Sequence, residues 1–144
     1  DMVHQELKMI QGCINRMSQN AFYLKGWYVS LLFVGTNFLI DKQANHCYIA
    51  GLVLMLTLAF WYLDAFYLKM ETLYRWKYEW AIIKRITGNT KCFYDLNPYN
   101  QEMWLDPDKK RGNINLFGYF ISMTIWPFYA LGIIIALFIY GKGV

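Results

Sequence analysis

Apolar positions along this chain are gathered into blocks. Three long runs stand out, Phe22–Ile40, Cys47–Leu68 and Ile114–Tyr140. A helix crossing a bilayer needs about 20 apolar residues. The third run carries no charge and meets that length unaided. The first two meet it only with Lys25 and Asp64 inside or at the edge of the span. Pro127 is expected to kink the third helix, because apolar residues continue on both sides of it. Ahead of the first run, Val3, Leu7, Ile10, Ile14, Met17, Ala21 and Leu24 alternate spacings of four and three, a heptad-like seam. Only Gly26 interrupts the passage from that seam into the first run. The first helix is therefore expected to extend beyond its apolar part.

The link "DKQANH", Asp41–His46, is short enough to make the first two helices an antiparallel hairpin. After the second run, "KMETLYRWKYEWAIIKRIT" has neither Gly nor Pro until Gly88, so the second helix is expected to continue outward. Turn signals follow at Gly88, Asn97-Pro98, Asp106-Pro107 and Gly112. The expected organisation is one all-α membrane domain over residues 1–144 with three transmembrane helices. An amphipathic arm (1–21) leads to spans 22–40 and 47–68, a helix and loop (69–113), and span 114–140. The first two helices form a hairpin extended into a cytoplasmic helical stalk.

Composition supports the membrane reading: 57% of residues are hydrophobic and 19% aromatic, too apolar for a small soluble domain. The start does not read as a signal peptide, since it is amphipathic and the first apolar run begins only at Phe22. Charge then sets the orientation. Twelve of the 14 basic residues fall in the arm (Lys8, Arg16, Lys25) and the long link, against Lys42 and Lys142 on the other side. By the positive-inside rule the N-terminus and 69–113 are cytoplasmic and the C-terminus outside. Counting outward from a hairpin centred near Gln43 and Ala44 sets Lys25 level with Phe60–Asp64, and Arg16 level with Met70–Glu71. Lys25–Asp64 and Arg16–Glu71 are the expected interhelical pairs, with Trp61, Asp64 and Glu71 turned toward the first helix. The alternative is that each charge reaches the membrane interface alone.

No enzyme is indicated. His4 and His46 fall on opposite sides of the membrane, and no nucleophile constellation, phosphate loop, dinucleotide fingerprint or metal spacing occurs. Cys13, Cys47 and Cys92 form no C-x-x-C pair. No cofactor is expected. A pore is the better candidate. Asn115, Tyr119, Ser122, Trp126 and Tyr129 make a mildly polar stripe on the third run, and the first run offers Ser30, Thr36 and Asn37. These residues line a channel between subunits or simply pack helices, with Gly118, Ser122, Gly132 and Ala136 allowing close approach. Three spans enclose little, so a channel requires a homo-oligomer. In the cytoplasmic link, Trp76, Lys77, Trp80, Lys84, Arg85, Lys91, Lys109, Lys110 and Arg111 interleave aromatic and basic groups. That pattern suits a nucleotide or short single strand, or serves as positive-inside charge with interfacial aromatics.

The strings Ile14–Leu32 and Phe60–Ile82 carry a resemblance. Met17, Ser18 and Asn20 precede Leu24, Lys25, Gly26 and Trp27. Leu63, Asp64, Ala65, Tyr67 and Leu68 precede Glu71, Tyr74 and Arg75, and "WPFYALGII" follows in the third run. This pattern resembles small bacterial membrane proteins encoded in anti-phage defence loci, and is similar to channel effectors of the Hailong type. The resemblance implies a defence effector that damages or depolarises the host's bacterial inner membrane in abortive infection. The expected assembly is a homo-oligomer, with four copies as the expected number. It implies control by a nucleotide or oligonucleotide from a neighbouring nucleotidyltransferase. A non-conducting membrane scaffold that recruits a cytosolic defence partner is the alternative.

Overall fold

The computed structural model describes residues 2–105 and 115–142. Every described regular element is helical. Helix α1 runs Met2–Asp41 and α2 runs His46–Ile86, each unbroken. The first proline of the chain is Pro98, so nothing removes a backbone donor from either helix. The turn between them is tight. Gln43 takes the left-handed conformation (φ 52°), and Ala44 N donates back to Leu39 O at 3.1 Å. Asn45 then caps α2, its side chain accepting from Cys47 N. At the far end Gly88 (φ 77°) lets Asn89 N reach Lys84 O at 3.0 Å and closes the helix. Residues 88–105 fold back over this end as turns, with a 3₁₀ turn at Gln101–Met103.

The two long helices pack antiparallel along their length. Tyr28 meets Thr57, Lys25 meets Asp64, and Glu6 meets Arg85. The arm's seam faces α2: Ile10 and Ile14 are buried and join Cys13, Tyr74, Trp80, Ala81 and Met103 in one core. A second core lies around Tyr28, Ala65, Ile125 and Tyr129, and a third around Ile49, Val53 and Ala136.

The third apolar run is two helices, not one kinked helix. Helix α3 covers Leu116–Phe120 and α4 covers Trp126–Gly141, separated by turns at Ile121–Ile125. Pro127 sits in the first turn of α4 and starts it. Its missing N–H costs nothing where helix donors are unpaired anyway, and its fixed φ suits a first turn. At the break, Trp61 Nε1 donates to Phe120 O at 3.1 Å, satisfying a carbonyl that α3 leaves open. Trp61 therefore serves the third segment; it does not face α1. Helix α4 packs on α2 through small residues. Gly132 is buried, and a Cβ there would overlap the Tyr28 hydroxyl and lie 2.9 Å from Thr57 Oγ1.

One described helix, His46–Ile86, is long and apolar enough to cross a membrane, and Trp126–Gly141 is a shorter apolar helix. Large apolar side chains cover the outward faces: Phe33 is 72% exposed, Met55 71% and Phe117 73%.

Candidate functional site

Asp64 lies at the junction of the three segments, on α2 and 1% exposed. An unpaired carboxylate there would be costly. Lys25 of α1 places Nζ 2.6 Å from Asp64 Oδ2, and Tyr129 of α4 donates its hydroxyl to the same oxygen at 3.2 Å. Trp61 stacks on Tyr129 with ring centroids 6.1 Å apart. One turn along α1, the Tyr28 hydroxyl lies 2.9 Å from Thr57 Oγ1. Thr57 spends its own proton on Val53 O at 2.7 Å, so Tyr28 is the donor to Thr57. Tyr28 also packs on Phe60, Phe128 and Tyr129. Lys25, 27% exposed in its side chain, is where this polar cluster meets the outside.

The second expected pair does not form. Glu71 takes Arg75 of its own helix, at 2.6 Å and one turn on, while Arg16 turns to Cys13 Sγ at 3.6 Å. The level itself is right, since Cys13 against Tyr74 keeps the same count as Arg16 against Glu71; the pair fails because each charge takes a partner on its own helix.

The polar stripe of the third run is also undone, because the break at Ile121–Ile125 ends the spacing that aligned it. Tyr119 and Tyr129 are buried, whereas Asn115 and Trp126 are exposed. Ser122 sits in the break, its carbonyl accepting from Ile125 N and Trp126 N. On α1, Ser30 and Asn37 are exposed but bond to their own helix, at Gly26 O (2.9 Å) and Phe33 O (2.6 Å). The described chain encloses no pore among these residues.

Three nucleotide candidates are committed inside the fold. Arg85 makes a two-pronged bond to Glu6, Nε to Oε2 and Nη2 to Oε1, both at 2.8 Å. Its Nη1 donates to Asn89 O (2.6 Å) and Lys91 O (2.9 Å). The guanidinium also sits 4.4 Å from the Phe93 ring centroid, and the bonds to Glu6 hold its pKa above the ordinary value despite burial. Lys77, 1% exposed, donates to Asn97 O at 2.7 Å and lies 3.5 Å from Asp95. Burial pushes its ammonium below the usual range, against the pull of Asp95. Trp80 is buried in the core. Trp76 is half-buried against Trp104, Lys84 is half-buried, and Lys91 is exposed. Lys109, Lys110 and Arg111, with the expected turns at Asp106-Pro107 and Gly112, lie outside the described residues.

The Glu6–Arg85 clamp was missed from sequence, although its signal was present. Glu6 is an acidic residue beside the apolar seam. Counting outward from the turn, as for Lys25, sets it near the end of α2, where Lys84 and Arg85 are the basic candidates.

Asp95 fixes the loop above Lys77. Burial opposes its charge, but bonds from the Asn100 amide, Asn97 N and Lys77 outweigh that and hold its carboxyl below the ordinary 3.8. A carboxyl lowered on folding stabilises the fold above its unfolded pKa and loses that contribution as pH falls through the folded one. Thermal unfolding followed below pH 3.8 is therefore expected to show a steeper loss for the wild type than for Asp95→Asn. Parallel curves would remove Asp95 from the acid response.

Compared with protein-family models, with curated proteins and with solved structures, the chain matches none.

Proposed function

We propose that this chain is an inner-membrane protein that assembles with copies of itself to permeabilise the membrane. The supporting observation is an inverted distribution of polarity at the junction. Large apolar side chains face outward, while a carboxylate, an ammonium and two phenols are held between the segments. Lipid accepts such an exterior, and intramembrane charge is tolerated when it is paired. In this reading α1, α2 and the α3–α4 segment each cross, with the loop end of the long helices outside. Lys25 is 16 residues from the end of α1, about 24 Å of helix, which sets the Lys25–Asp64 pair near the inner edge of a core about 30 Å thick. The arm, the end of α2 and residues 88–105 then form the cytoplasmic stalk.

The resemblance of Met17–Trp27 and Leu63–Arg75 to membrane proteins of defence loci supports an effector role. A nucleotide signal at the stalk would meet Lys84 and Lys91, not Lys77, Trp80 or Arg85. A scaffold that recruits a cytosolic partner is the second reading, favoured by the compact, internally bonded stalk, which offers a preformed surface.

Membrane potential in cells expressing the chain alone, read with a voltage-sensitive dye, tests the proposal. Wild-type protein is expected to depolarise the cells. Asp64→Asn keeps the shape but leaves Lys25 without its counter-charge, destabilising the junction by about 1–3 kcal/mol, and should weaken depolarisation. Normal assembly and undiminished depolarisation in Asp64→Asn would remove the pair from the mechanism. An intact potential with wild type, together with capture of a soluble partner, would favour the scaffold.

A further inference from the structure

Helices α1 and α4 both pack on α2, and between them runs an open groove of about 320 Å³. Val29, Leu32, Phe33 and Thr36 form one wall, and Phe128, Leu131 and Ile135 the other, with Tyr28 and Gly132 completing the lining. The walls each extend two helical turns, about 11 Å. We propose that this groove holds one acyl chain of a glycerophospholipid whose phosphate sits at Lys25. The inference rests on the membrane reading above and goes beyond it by naming a ligand and a site.

Three features point to that occupant. First, the groove offers hydrocarbon only. Its two hydroxyls are already used, Tyr28 on Thr57 at 2.9 Å and Thr36 on Leu32 O at 2.5 Å. Neither hydroxyl has a proton left to donate to water or a polar ligand, and the rest of the lining is apolar, so the groove suits an apolar guest. Second, the two walls run side by side for two helical turns and the groove is open along its length, a shape that an extended hydrocarbon chain fills. Third, its inner end carries a cation. Lys25 is one turn before Val29 on α1, on the same face. Its ammonium is partly exposed and has three donors, of which Asp64 takes one. In the proposed orientation Lys25 lies at the cytoplasmic edge and the groove runs from there toward the bilayer centre. A phosphate at Lys25 and a tail along Val29–Thr36 follow the direction of an inner-leaflet lipid.

The test uses the full chain reconstituted in vesicles of phosphatidylethanolamine and phosphatidylglycerol. The vesicles carry a trace of phosphatidylethanolamine with a photoactivatable diazirine midway along one acyl chain. Adducts mapped by peptide mass spectrometry are expected on 29–36 and 128–135, enriched roughly tenfold over the equally outward Met55 and Phe117. Ile135→Trp, at a position 44% exposed and so tolerant of a larger side chain, fills the groove and should abolish that enrichment. Leu131→Trp serves as a second filler should Ile135→Trp lose its helical circular dichroism. Adducts spread in proportion to exposure, Met55 included, would overturn the site, as would unchanged labelling in folded groove-filling variants. Failure of the protein to float with the vesicles would overturn the membrane reading itself, a separate result read before any illumination.

Discussion

Arg85→Ala is expected to destabilise the protein by about 3–5 kcal/mol, the range for removing one partner of a buried ion pair. The size follows from what the substitution strands. Glu6 keeps a carboxylate 1% exposed in its side chain, with Tyr94 N at 3.2 Å as its remaining donor. The carbonyls of Asn89 and Lys91 lose their donor in the same step. The damage should be local before it is global. Arg85 joins the beginning of α1, the end of α2 and the loop after it, so segment 88–105 should become protease-sensitive first. Glu6→Gln removes the charge while retaining an acceptor, and should cost less than Arg85→Ala. Urea unfolding of the purified protein, with limited proteolysis of the native state, measures both. Equal stability of wild type and Arg85→Ala would show that the clamp is incidental.

Gly132→Ala is the second large effect, and its cause is steric. The added Cβ would overlap the Tyr28 hydroxyl, and Tyr28 has little freedom to retreat. Its ring is held by Phe60, Phe128 and Tyr129, and its hydroxyl by Thr57. Overpacking of this kind costs about 1–3 kcal/mol. Tyr28→Phe alone loses one buried hydrogen bond, worth about 1 kcal/mol. The double variant should be more stable than the sum of the single losses predicts, because removing the hydroxyl vacates the space that the added methyl group needs. Thermal unfolding of the four proteins in the cycle gives the coupling directly. Additive losses would mean that α4 shifts away and that the close approach at Gly132 does not fix its position.

How far the sequence could be read depended on the kind of signal. Continuity of the two long helices was legible because nothing in Met2–Asp41 or His46–Ile86 competes with helix except scattered glycines. Counting outward from the short loop set Lys25 opposite Asp64 to within a turn, and the two charged atoms lie 2.6 Å apart. The same count set Arg16 level with Glu71 but could not show that Arg75 takes Glu71 from one turn away on its own helix, nor that Arg16 turns to Cys13. The third run was misread for another reason. Apolar continuity is blind to backbone breaks, and Pro127 can kink a helix or start one. What decided was the partner of the broken backbone, the Trp61 indole donating to Phe120 O from 59 residues earlier in the chain. Burial of Lys77 was invisible, since a run of alternating aromatic and basic residues reads the same whether its charges face water or close a fold.

The two long helices have a mechanical consequence. Each extends about 60 Å, twice the thickness of a bilayer's hydrocarbon, with no proline along it. Bolted together at Glu6–Arg85 near one end and at Lys25–Asp64 midway, they form a stiff shaft. A torque applied at the clamped end cannot be absorbed by a hinge along the way and must arrive at Asp64. There the load passes through the Tyr129 hydroxyl to α4, whose backbone the break at Ile121–Ile125 sets apart from α3.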